Sequence, residues 1–160
     1  MAATNRLAGF PYRPVGKHSP EGRDGFFAGL GLQPAQLLAI TAGLAELGGG
    51  ILLGLGLVTP FAAFAIAVVM VTTVSTVHWK NGCFSGNGGY EFNLLIYAVA
   101  VGLAAAGPDR FSVDHAASWD DNLSGLWWGV GVLVASVVVG LATIELSRFR
   151  SRRRLTTLPV

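Results

Sequence analysis

Long apolar runs separated by short polar or glycine-rich stretches set the pattern of this chain. Residues 35–57 read AQLLAITAGLAELGGGILLGLGL, and residues 60–78 are apolar until Thr72, Thr73, Ser75 and Thr76 precede His78. Residues 90–106 and 126–146 complete the set. These runs neither alternate at period two nor keep to one helical stripe, which is the pattern of a helix with apolar surroundings on all sides. A span needs roughly 17–25 such residues, and residues 90–106 barely meet that. The pattern predicts an all-α polytopic membrane bundle of four transmembrane helices.

The punctuation agrees. Thr59-Pro60 reads as an N-cap followed by proline at the first helical position, so the turn before the second helix is short. Gly82, Gly86, Gly88 and Gly89 free the backbone for a sharp link, which His78 enters and Glu91 leaves. Gly107-Pro108 stops the third helix, and residues 109–123 form a polar loop with Asp109, Asp114, Asp120 and Asp121 against Arg110. Small-residue pairs at Gly50/Gly54, Gly125/Gly129 and Ser136/Gly140 mark faces where helices approach closely. Ahead of the spans, residues 1–24 are polar with Arg6, Arg13, Lys17 and Arg23, and residues 25–32 are apolar but too short to cross. This gives an N-terminal cytoplasmic arm and interfacial segment (1–34), a membrane domain (35–147) and a basic cytoplasmic tail (148–160).

Charge sharpens the picture. Only 12% of residues are charged, about half the share of a soluble domain, and Glu46 is the only ionisable residue between Leu37 and Val77. Positive charge gathers in the two tails, which points to orientation and lipid contact and away from nucleic acid. Arg148, Arg150, Arg152, Arg153 and Arg154 directly follow the last span and favour a cytoplasmic C-terminus. Four spans then place the N-terminus inside as well. The single Cys83 excludes an internal disulfide, and no Cys/His spacing of a metal site is present.

Glu46 lies about 16 Å along its helix, near the bilayer midplane. An acid there must be neutral, paired or near water. It is either a proton-relay or ligand-binding acid, or a protonated group that locks two helices by hydrogen bonding. His78 can handle a proton with Glu91, or simply close its helix. Glu91 suits a helix N-terminus on dipole grounds alone. Asn81 and Asn87 share that turn, and Trp79 and Tyr90 are interfacial aromatics or a ring platform. Cys83 is a thiol in the link, inert or reactive according to its surroundings.

The pieces FFAGLGLQPA (26–35), AELGGGILLGLGLVTP (45–60), TVHWKNGCF (76–84), NGGYEFNLL (87–95) and GPDRFSVD (107–114) occur in order. On these, the chain resembles the DoxX family of small bacterial membrane proteins. The family's usual transmembrane helix ahead of the FFAGLGL segment has no apolar run to match it here, and the last helix lies beyond the family's core. The resemblance implies a multi-pass protein of the bacterial inner membrane that serves as a subunit of a redox system, with soluble or membrane redox enzymes as partners. No cofactor is evident in the residues themselves, and quinone is the class that the family's redox link suggests. In that role Glu46, His78 and Glu91 would handle protons or ligand, with Trp79, Asn81, Asn87 and Tyr90 beside them. Two other classes stay open: a non-catalytic anchor or assembly factor for redox enzymes, and a small-solute transporter using Glu46. Self-association into a homo-oligomer is compatible with each.

Overall fold

A computed structural model describes residues 35–156, with side chains over 36–119 and 121–150. The arm and interfacial segment expected over residues 1–34 lie outside the described residues, as does the end of the basic tail. The chain forms helices α1 (Ala35–Leu55), α2 (Thr59–Thr73), α3 (Glu91–Ala106), the single-turn α4 (Val113–Ala116) and α5 (Leu126–Thr156). Past Thr73, α2 continues through a π-helical turn, Val74–His78, and a 3-10 turn, Trp79–Asn81.

Helix α2 is the hub, packing against α1, α3 and α5, while α3 and α5 also pack on each other. Small residues make this closeness available. Ala63, Ala67, Ala100, Ala104 and Val132 form the core, bordered by Leu53, Phe64, Ile66, Tyr97 and Val101. A methyl group added to Gly49 would sit 2.9 Å from Ile66 Cγ1, and one added to Gly140 would sit 2.8 Å from Val71 Cγ1. Without a hydrophobic force between helices in lipid, such contacts supply the packing. Ser136 is buried, with its Oγ 3.2 Å from the Tyr97 hydroxyl, which itself donates to the Leu133 carbonyl at 3.0 Å.

The structure corrects the expected count of four spans. Among the described residues, three helical stretches are long and apolar enough to cross a membrane: Gln36–Leu55, Thr59–Asn81 and Leu126–Arg150. The remaining apolar helix, α3, has 16 residues, or about 24 Å at 1.5 Å per residue, short of a hydrocarbon core of about 30 Å. Both of its ends are fixed. Tyr90 stays outside the helix as its N-cap, and Gly107, at φ +78°, ends it, with its N–H donating to Leu103. With three spans among the described residues, the even count of four from which both termini were placed on one side is not found there.

The start of α2 also differs from expectation. Val58 is the N-cap, in the left-handed region at φ +44°, and Thr59 is the first helical residue with Pro60 after it. The side chain of Thr59 does not cap the helix; Asp114 does so from the distant loop.

Candidate functional site

A cavity of about 380 Å³ runs along α2 between α1 and α5. This lies within the usual range of about 300–1,000 Å³ for small-molecule sites. Leu38, Thr41, Ala42 and Ala45 of α1 form one wall, and Val139, Thr143 and Ile144 of α5 form the other. The floor is α2, from Phe64 through Val68, Thr72, Thr73 and Thr76 to Val77 and His78. The cavity is mostly apolar, with polarity confined to threonine hydroxyls and the histidine.

Most of those hydroxyls first serve their own helix. Thr41 donates to Leu37, Thr72 to Val68, Thr76 to Thr72 and Thr143 to Val139, at 2.7–2.9 Å. Each hydroxyl oxygen keeps acceptor capacity after donating. Ser75 likewise donates to Val71. This density of back-bonding precedes and overlaps the π turn, where the Trp79 N–H reaches back five residues to Val74. Single π turns inside α-helices occur frequently at functional sites, and this one carries His78.

His78 is fixed by the link. Its Nδ1 is 2.6 Å from the carbonyl oxygen of Gly88, which Asn81 Nδ2 also reaches at 3.1 Å. A carbonyl can only accept, so Nδ1 carries a proton. In the neutral ring Nε2 is then the acceptor nitrogen. The link folds tightly for this purpose. Tyr90, Glu91 and Gly89 donate their N–H groups to Gly82, Cys83 and Phe84. A side chain on Gly89 would strike the Gly82 and Cys83 backbone.

The other expected site residues fall elsewhere. Trp79 and Tyr90 stack on each other, with centroids 5.7 Å apart and planes at 18°. Asn87 contributes its backbone N–H to the link, donating to Phe84. Cys83 is exposed. Glu91 opens α3 but accepts from Ser85 N at 3.1 Å and Ser85 Oγ at 3.0 Å, while His78 is held by Gly88. The two sit at one corner, each hydrogen-bonded to a different part of the link. Glu46 is exposed on α1 and does not line the cavity. No group of three or more His, Cys, Asp or Glu suited to a metal occurs among the described residues.

The Ser85 N–H, and then its hydroxyl, hold the Glu91 carboxyl below the usual carboxylate range. A lowered folded pKa stabilises the link above the ordinary value, and this stabilisation is lost as pH falls through the lowered one. Hydrogen exchange over residues 82–91 should therefore accelerate in acid relative to a Glu91→Gln variant, which keeps an acceptor but does not titrate. Identical acid profiles in the two proteins would rule this out.

Asp114 was hidden in the sequence among four loop aspartates. It is fully buried. Its Oδ1 accepts from Val58 N at 2.8 Å, and its Oδ2 accepts from Thr59 N and Thr59 Oγ1, both at 3.0 Å. Its own N–H donates to Gly56 O at 3.0 Å. The sequence signals were its place at the end of the GPDRFSVD piece, two residues after Ser112, which caps α4 through the His115 N–H, and the helix start at Thr59. Nothing local joins the two.

Residues 6–79 match the model of the DoxX family. The match covers FFAGLGLQPA and AELGGGILLGLGLVTP, ends within TVHWKNGCF, and takes in α1, α2 and His78. The NGGYEF piece, α3 and α5 lie beyond it. No curated protein and no solved structure matches the chain. Over residues 6–79 the chain is therefore similar to the DoxX family, and the three apolar spans among the described residues make it a multi-pass integral membrane protein, with an apolar helix outside the matched region.

Proposed function

We propose that this protein is the membrane subunit of a redox system in the bacterial inner membrane, and that the cavity along α2 holds a quinone for partner redox enzymes. The observation that carries this reading is the cavity's composition, apolar walls from three helices with His78 in the lining. Leu38, Phe64, Val68, Val139 and Ile144 would take an apolar ring and tail. The threonine hydroxyls and His78 would orient its oxygens. A bound quinone would supply two-electron, two-proton chemistry.

The residues of this chain would bind and manage a proton. Because Nδ1 is committed to Gly88, neutral His78 offers an acceptor at Nε2, suited to a ligand hydroxyl. Protonated His78 offers a donor, suited to a carbonyl oxygen. Asn81 shares the Gly88 carbonyl and steadies that arrangement. The link anchored by Glu91 and Ser85 is a positioning element for His78. Glu46 has no part in this cavity. The arginines from Arg148 to Arg154 support a cytoplasmic C-terminus.

The test is equilibrium binding of a short-chain quinone to the detergent-purified protein. His78→Ala should weaken binding by about tenfold, the loss of one charge-assisted hydrogen bond, and Glu46→Gln should leave it unchanged. Lack of saturable binding by folded wild type would end this reading.

A further inference from the structure

We propose that a second copy of this chain packs on the outer face of α1, with the Glu46 carboxyls of the two copies sharing a proton at the contact. The inner side of α1 is already used: Gly49 meets Ile66 and Ala62 of α2, while Leu38, Thr41, Ala42 and Ala45 line the cavity. On the opposite side, at helical spacing, lie Gly43, Leu47, Gly50 and Gly54, with Glu46 beside them. The three glycines have nothing within 4 Å of where a Cβ would stand, and Leu47 is 68% exposed. Small residues with one protruding leucine make a surface on which another helix can come close.

Small residues alone would not identify the occupant; Glu46 does. It is exposed at the middle of a membrane span, and no hydrogen bond or ion pair is made by its carboxyl among the described residues. Lipid offers a carboxyl no hydrogen bond, so whatever covers this face must supply one at the same depth. The described spans have no basic side chain near mid-depth for it. Residues 25–32, the longest apolar run before Ala35, consist of Gly, Phe, Ala and Leu and have no hydrogen-bonding side chain. A second α1 meets the requirement directly. At a two-fold contact each residue near the axis meets its own counterpart. One protonated carboxyl donates to the partner's Glu46, and the flanking glycines let the backbones approach. This face lies across α1 from the cavity, so the proposal stands whether or not a quinone binds there.

Disulfide cross-linking in lipid vesicles tests it, using a Cys83→Ser background. A Leu47→Cys variant should form a covalent dimer on oxidation, and Leu38→Cys, on the cavity side, should not. Adding Gly50→Leu should reduce the Leu47→Cys dimer by about tenfold, because the side chain holds the helices apart. Glu46→Gln, which can still donate and accept, should keep the dimer. Glu46→Lys should lose it alone and regain it when mixed with copies carrying Glu46, a rescue that a merely misfolded variant would not show. The absence of a dimer in the Leu47→Cys parent would overturn the proposal and leave the N-terminal segment or a different subunit as the cover. Undiminished cross-linking by the Glu46→Lys copies alone would also overturn it, as would equal cross-linking through Leu38→Cys.

Discussion

Replacing Asp114 with alanine should destabilise the protein by about 3–5 kcal/mol, from three hydrogen bonds to a carboxylate at about 1.5–3 kcal/mol each, less than additive. The carboxylate is fully buried and accepts from Val58 N, Thr59 N and Thr59 Oγ1. It stands at the N-terminus of α2, where the helix dipole favours an anion. Pro60 has no N–H, and Phe61 and Ala62 donate to Val58 O, so Asp114 satisfies the helix-end donors left over. It also sustains a strained turn. Val58 is β-branched and left-handed at φ +44°, a conformation costing on the order of 1–3 kcal/mol that persists only where surrounding contacts enforce it.

Asparagine should rescue little, because its NH₂ would face one of the N–H donors. Thr59→Val removes one bond of the three and should cost only about 1–2 kcal/mol. Thermal unfolding in detergent, followed by tryptophan emission, gives the ranking: alanine and asparagine at position 114 well below wild type, Thr59→Val slightly below it. An Asp114→Ala protein as stable as Thr59→Val would show that the carboxylate is not the clasp.

Filling the cavity should have the largest effect on ligand binding. Thr143 lines it from α5, and its hydroxyl donates to its own Val139 carbonyl, so no interhelical bond depends on it. Thr143→Phe would add a ring to a space of about 380 Å³. Overpacking forces either side-chain rearrangement or loss of the occupant, and quinone affinity should fall by more than about tenfold. Thr143→Val keeps the volume and removes only an acceptor, so a severalfold loss or less is expected. Equal losses would assign the effect to the hydroxyl, and no loss in either would place the ligand elsewhere. Comparison with Glu46→Gln separates this cavity from the outer face of α1.

Some of this was plain in the chain. The runs over α1, α2 and α5 are apolar all round and long enough to cross, so their existence needed no tertiary information. The start of α3 at Glu91 and its stop at Gly107 follow from helix-end chemistry. The end of α5 was less legible. Its apolar run stops near Leu146, but the helix continues to Thr156, because arginine is a good helix former and no breaker intervenes. The apolar run read as the third span was a matter of one or two residues. Tyr90 stacks on Trp79 and stays in the link, and the helix that remains is too short by the length criterion.

The sequence by itself determined an all-α membrane protein, the family it resembles, and the residues with unusual chemistry, because those properties depend on composition and on spacing along one chain. Only the tertiary structure decided which of those residues meet. It turned Glu46 outward from the bundle, joined His78 to Gly88, and gave Glu91 to Ser85. It also chose Asp114 from among four similar aspartates, 55 residues away from the Thr59 it serves. Such pairings depend on helix rotation and loop closure, which an apolar helix in lipid leaves to packing against its neighbours and does not encode in its own pattern.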